Sequence, residues 1–444
     1  YGIVLKVLGS ILIIEAMLMV PSYAIALFTH GNDENAFLFT IILTALIGLV
    51  LAKRKARTNK ISARDGFAIV TFGWLLASLL GALPLYLPGY TNTYIDALFE
   101  IVSRFTTTGA TILANVEVLP KGVLFWRSFT HWIGGMGILV FTLALLPALG
   151  IQGFQIYKAE SPGPVAGKIA PRLKDTAKIL YVTYFTITII QVILLLIGGM
   201  SLFEALVYTF GTVGTGGLSI HNASVGAYNS TYIHLVIGTF MILSGVNFSL
   251  YYLGYKGRIR DVFMDEELRL YLIVIGLAVV SIALNLILTS YDSIGMAFRD
   301  AYFQVSSIIT TTGYTTVDYD LWPSFSKGIL LLLMFTGACA GSTAGGMKMI
   351  RLLVSLKLIK REIGKSFHPR AMMPIKVNGK IMSNETVSGI NSFLALYLLI
   401  FIIATLLITL EGVSLISAIS SVAATLGNIG PALEFAGPTR NFVY

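Results

Sequence analysis

Charge is scarce in this 444-residue chain: only 12% of its residues are Asp, Glu, Lys or Arg, about half of what globular domains carry. With 56% hydrophobic residues, that scarcity excludes an ordinary soluble domain. Cysteine occurs once, as Cys339 inside an apolar segment, so no disulfide or cysteine-based metal site can form within one chain. The five histidines, His30, His131, His221, His234 and His368, are scattered without H-E-x-x-H or similar ligand spacing. No G-x-x-x-x-G-K-S/T loop is present, so any ATP would be used by another subunit. Nothing in the chain points to catalysis, and it is read as not an enzyme.

What is present is apolar sequence in blocks long enough to cross a bilayer, which takes roughly 20 helical residues. Spans are expected near 3–28, 36–52, 67–88, 123–149, 179–200, 232–254, 270–289, 328–357 and 390–411. The first is read as a span, since it is long for a cleaved leader and eight more follow. The net charge of +9 reports topology rather than a nucleic-acid partner. Basic residues cluster in alternate connections: Lys53 to Arg64, Lys158 to Lys178, Lys256 to Arg269, and Lys348 to Lys380. Only Arg104, Lys121, Arg127, Arg299, Lys327 and Arg440 fall in the others. The positive-inside rule then predicts a multi-pass protein of a bacterial-type plasma (inner) membrane with a cytoplasmic N-terminus, surrounded by lipid.

Each of the other connections carries a short semi-apolar stretch followed by a glycine motif. The motifs are Phe105-Thr106-Thr107-Thr108-Gly109-Ala110, Thr212-Val213-Gly214-Thr215-Gly216-Gly217, Thr310-Thr311-Thr312-Gly313-Tyr314, and Gly427-Asn428-Ile429-Gly430-Pro431. Aligned without gaps, an alanine precedes each last glycine by the same interval: Ala97/Gly109, Ala205/Gly217, Ala301/Gly313 and Ala418/Gly430. An acid precedes three of these alanines (Asp96, Glu204, Asp300), and Ser417 precedes the fourth. Matched spacing at matched topological positions is the mark of an internal repeat. Allowing one gap, Gly216 would replace Gly217 as the aligned glycine of the second copy.

Irregular backbone at membrane depth is tolerated only inside protein or along a water-filled path. Four such segments therefore converge on an interior. Each short helix would enter from outside and stop partway, pointing its negative C-terminal end inward and favouring a cation. The glycine lets the chain turn back with its carbonyls facing one axis, and a ring of carbonyls can replace an ion's hydration shell. The threonines favour extended backbone and add hydroxyl oxygens. The plainer alternative is a helix C-cap with glycine in the left-handed position.

These four helix–pore-loop–helix units, the TTTGA and TTTGY motifs at Thr106–Ala110 and Thr310–Tyr314, and the loop Ala159-Glu160-Ser161-Pro162-Gly163-Pro164 resemble the TrkH/KtrB/HKT superfamily of potassium transporters. The two extra N-terminal helices and the stretch Lys168 to Lys178 resemble the TrkH branch more than KtrB. The resemblance implies an all-α membrane protein with two N-terminal helices and four pseudo-symmetric repeats around a central pore. The segments are 1–64, 65–158, 159–260, 261–362 and 363–444. Symmetry predicts a last returning helix after the fourth loop, and the chain as given stops before it.

The resemblance further implies potassium uptake through a filter of Thr107, Thr108, Gly109, Thr215, Gly216, Gly217, Thr311, Thr312, Gly313, Asn428, Ile429 and Gly430, with potassium held at these residues and no covalent cofactor. All four aligned positions are glycine, as expected for potassium rather than sodium. It also implies a homodimer, and TrkA-like cytosolic nucleotide-binding regulatory subunits on the basic face. The alternative is a sodium- or proton-coupled symporter. That would call for inverted repeats, whereas these four share one orientation.

Thr336 to Gly346 interrupts the returning helix of the third repeat. Gly337, Gly341 and Gly345 are four apart, as on a helix-packing face, yet with Ser342, Thr343 and Gly346 they make a poor helix. The resemblance implies an intramembrane gate here, with Lys348 and Arg351 anchoring it or reaching to the surface. The acids after the loops, Glu117, Asp318, Asp320 and Glu434, either gather cations or are solvated. Asn247 and Glu15, polar within apolar spans, face protein; Asn247 lies near the pore or pairs helices. Glu15 is read as structural, and His131 as packing or interfacial.

Overall fold

Long apolar runs fold as expected, into long helices, the first of which carries Pro21 in its interior. The computed structural model describes residues 2–54, 61–137, 173–438, 440 and 442. Six helices in it are long and apolar enough to cross a membrane, seven if one bent pair counts as a single span. Strand is confined, among the described residues, to a two-residue antiparallel pair, Lys376–Val377 with Lys380–Ile381. The fold is that of an all-α membrane protein.

The described chain divides into two compact units. The first runs to Ala227 and takes in residue 442. It begins with a hairpin of Gly2–Thr29 and Glu34–Ala52, followed by Ala63–Gly81 and a short turn, Leu83–Tyr86. Then come a short amphipathic helix, Tyr94–Phe105, and the helix Lys121–Gly135. Leu173–Ile197 and a second short helix, Leu202–Val213, complete the unit. The remainder of the expected span 123–149 and the loop Ala159–Pro164 lie outside the described residues.

The second unit, Tyr228–Arg440, holds Thr231–Ser244, Phe248–Tyr255 and Glu266–Thr289, then a third short helix, Ile294–Ile309. Ser324–Thr336, Met349–Phe367, Asn384–Thr409 and a fourth short helix, Leu415–Leu426, follow.

Two expected spans are broken. Residues 232–254 form not one helix but two, bent by 93° at Gly245-Val246-Asn247. Asn247 causes the restart: its side chain accepts a hydrogen bond from the Ser249 N–H as the N-cap of the second piece. Residues 328–357 break between Thr336 and Met349, where Gly337, Gly341, Gly346 and Lys348 all take positive φ. That excludes a continuous helix with a glycine packing face.

Candidate functional site

The four short helices begin with a polar cap. Thr93 and Ser201 form capping boxes with Asp96 and Glu204, and Ser414 caps through the Ser417 N–H. In three copies the alanine lies four residues past this cap, in a helix of 12 residues. The third helix is 16 residues long, capped a turn earlier by Ser293. Its acid, Asp300, is therefore no cap; it pairs with Arg299 and accepts from the Tyr291 hydroxyl. All four alanines are fully buried.

All four helices also end alike. After Phe105, Val213, Ile309 and Leu426 one residue stays near-helical, and the next turns left-handed: Thr107 at φ 59°, Thr215 at 55°, Thr311 at 55° and Asn428 at 67°. The N–H of that residue bonds to the carbonyl of Arg104, Thr212, Ile308 or Thr425. The following N–H, of Thr108, Gly216, Thr312 or Ile429, reaches the carbonyl of Ser103, Gly211, Ser307 or Ala424 at 2.7–2.9 Å. This is a Schellman closure, whose left-handed position glycine or asparagine normally fills. Threonine there is strained by about 1–3 kcal/mol, and three loops accept it.

A second left-handed residue follows two positions on: Gly109 at φ 78°, Gly217 at 65°, Gly313 at 87° and Gly430 at 98°. A simple helix cap needs no second reversal. The shared geometry also settles the register, since Gly217 rather than Gly216 carries the positive φ. Gly216 is instead constrained by contact: a Cβ there would come within 2.3 Å of the His131 ring. His131 thus packs against the second loop.

Side chains missed in the sequence brace these loops. Ser103 donates to the Ala110 carbonyl and Ser307 to the Tyr314 carbonyl, each at 2.6 Å, just beyond the glycine. The position nine residues before the glycine is polar in all four copies, Ser421 being the fourth, and in the first three it ties the chain beyond the loop. Glu100 accepts from the Thr111 hydroxyl (2.6 Å) and the Ile112 N–H (2.7 Å). Tyr208 bonds Ser219 at 2.6 Å, and Gln304 donates to Thr316 at 3.2 Å. Glu100 is also ion-paired with Arg104 and lies 3.8 Å from Arg127, with all three side chains buried. These arginines are therefore not charges of an outer connection. The signal was a polar residue recurring at one register of an apolar helix.

In the second unit the third and fourth loops meet each other and the broken segment. A Cβ on Gly313 would lie 2.1 Å from the Ile429 carbonyl oxygen. The Gly345 N–H donates to the Thr311 hydroxyl at 2.6 Å, and a Cβ on Gly345 would meet the Asn428 Cβ at 2.6 Å. The segment pinches at its base, where a Cβ on Gly337 would lie 2.6 Å from the Gly345 carbonyl oxygen. Inside it, Ser342 donates to the Cys339 carbonyl and Thr343 to that of Ser244. Asn247 sits beside Gly341, and the Gly341 carbonyl accepts from the Phe248 N–H. Lys348 is buried and donates to the Ala344 carbonyl rather than reaching the surface. Arg351 stacks over Phe393 at 3.9 Å.

The outer acids act as loop ties. Glu117 accepts from the Asn222 N–H, and Asp318 caps the Asp320 N–H. Asp320 accepts from the Glu434 N–H at 2.8 Å, and burial pushes its carboxyl above the usual range. Glu434 accepts from the Ser414 and Ser417 hydroxyls, which hold its carboxyl below that range. Glu15 is buried against Gly81, where a Cβ would lie 3.1 Å from its carboxylate.

Half-length helices with doubly left-handed ends, set among membrane-length helices, are the kind of irregular backbone that a membrane protein keeps only inside protein or along a water-filled path. The model of the TrkH family, described as a cation transport protein, matches residues 32–439. The Trk system potassium uptake protein TrkH of Escherichia coli K12 is 38% identical over 434 residues, covering 96% of this chain and 90% of that protein. The Trk system potassium uptake protein TrkG of the same strain is 36% identical, covering 99% and 91%. The crystal structure of the potassium transporter TrkH from Vibrio parahaemolyticus superposes with a TM-score of 0.87 at 34% identity, covering 97% of this chain and 90% of that one. This chain belongs to the TrkH family; like its relatives it is a transport protein and not an enzyme.

Proposed function

We propose that this protein carries potassium into the cell across the plasma membrane, through one filter to which all four loops contribute. The observation that carries this reading is the pair of left-handed residues repeated at the same register in all four copies. In an ordinary strand successive groups point to opposite sides. Reversing every second residue lets carbonyls project to the same side, the arrangement that replaces a hydration shell. The potassium site would comprise the carbonyls and hydroxyls of Thr107–Gly109, Thr215–Gly217, Thr311–Gly313 and Asn428–Gly430. Relatives named as potassium uptake proteins support that choice of ion.

The segment Gly337–Gly346 serves as the gate in this reading, supported by its bond to Thr311 and its contact with Asn428. The basic clusters support a cytoplasmic side for the N-terminus and the helix Met349–Phe367, where nucleotide-binding regulatory subunits would dock on a homodimer. The repeats run 65–158, 159–260, 261–362 and 363–444 after the two-helix segment 1–64. The test is flux from purified protein in liposomes. Potassium flux that follows its own gradient, unaltered by an imposed proton or sodium gradient, is expected. Uphill potassium movement driven by either gradient would replace this reading with coupled symport.

A further inference from the structure

Acids in the first turn of a helix usually serve the helix dipole from solvent. Glu266 fits that pattern, exposed enough to pair with Lys357 near the surface. Glu267, its neighbour in the helix Glu266–Thr289, does not. It is 6% exposed, and the N-cap role is already filled by Asp265, which accepts from the Leu268 N–H.

The Glu267 carboxylate instead faces the broken segment. Its Oε1 accepts from the Ala340 N–H at 2.6 Å and from the Ile350 N–H at 2.9 Å. Ala340 lies in the first half of the segment, and Ile350 lies just past its end, in the first turn of Met349–Phe367. Nearby, the Met349 N–H donates to the Ala338 carbonyl, and the Cys339 N–H to the Gly245 carbonyl at the break in the preceding helix pair. A single oxygen thus ties the first half of the loop to the helix that follows it, and both to a membrane helix. Backbone in lipid cannot leave an amide unpaired, so this acceptor is what makes the non-helical path tenable.

We propose that Glu267 is a positioning residue that clamps the Gly337–Gly346 loop in its closed form, so that losing its acceptor oxygen loosens the loop. The functional consequence rests on the gate reading above. The loop carries its own reporter, since Cys339 is buried in it and is the sole cysteine of the chain.

The experiment measures modification of Cys339 by a charged methanethiosulfonate, which forms a mixed disulfide and releases methanesulfinate, in the purified full chain, beside potassium flux in liposomes. Glu267→Ala is expected to raise the labelling rate about 10- to 100-fold, the equivalent of one or two hydrogen bonds. Glu267→Gln keeps a carbonyl oxygen at the same reach and is expected to label at the native rate, a rescue that mere volume loss would not produce. Should the alanine variant not accumulate, Glu267→Asp, whose oxygen is drawn back by a methylene, should also label faster. Native-rate labelling of the alanine or aspartate variant overturns the clamp. Faster labelling with unchanged flux upholds the clamp and removes the loop from gating, which separates this inference from the functional reading.

Discussion

Gly313→Ala is the most informative single perturbation of the loops. Two costs combine at this site. The backbone sits at φ 87°, where an L-residue is disfavoured by about 1–2 kcal/mol. The new methyl would also lie 2.1 Å from the Ile429 carbonyl oxygen and 2.8 Å from the Pro431 Cδ. Relieving that overlap means moving the fourth loop by about 1 Å, and such overpacking costs roughly 1–3 kcal/mol. The sum, about 2–5 kcal/mol, falls on an oxygen assigned to the filter, so ion discrimination should suffer before the fold does. The assay is the ratio of potassium to sodium flux in proteoliposomes, with Gly276→Ala as control because a Cβ there meets nothing within 4 Å. A loss of about ten-fold or more in the ratio is expected for Gly313→Ala and none for the control. Native selectivity in Gly313→Ala would refute the reasoning.

Three further outcomes follow from the braces. Ser307→Ala removes the bond to the Tyr314 carbonyl and should cost about 1 kcal/mol, visible as a lower potassium-to-sodium flux ratio with normal expression. Glu100→Gln strips the carboxylate from the buried Arg104–Arg127 pair and should destabilise by about 3–5 kcal/mol; detergent-melting curves at native temperature would disprove that. Glu434, held below its ordinary value of 4.5 by Ser414 and Ser417, adds stability that is fully present above that value. This contribution is lost as pH falls through its depressed folded value. Amide protection around residues 431–438, measured against the intrinsic exchange rate at each pH, should therefore fall on acidification in the native chain, and Glu434→Gln should flatten that dependence.

The repeat was legible because its spacing is physical: the interval from alanine to glycine runs from a buried helical position through the helix end and its closure, which all four copies share. The left-handed threonines were not legible, since threonine's ordinary preference is extended and only tertiary constraint overrides it. The extra turn on the third helix was hidden by Asp300, which mimics the capping acids of the other copies. The 93° break at Gly245–Asn247 was masked by apolar residues on both sides, although an asparagine just ahead of an apolar run is a helix-start signal. Glu267 carried no sequence signal, because the loop it serves lies 73 residues away along the chain. The ties among Asp318, Asp320 and Glu434 likewise join distant segments, as no local pattern announces.

The central claim is that all four loops share one potassium-selective filter. Its most direct test is the potassium-to-sodium flux ratio of the native protein beside Gly109→Ser, Gly217→Ser, Gly313→Ser and Gly430→Ser, each in proteoliposomes. The account predicts a native preference for potassium that every one of the four substitutions erodes. A native protein that passes both ions equally, or any one substitution that leaves a real preference intact, would contradict it.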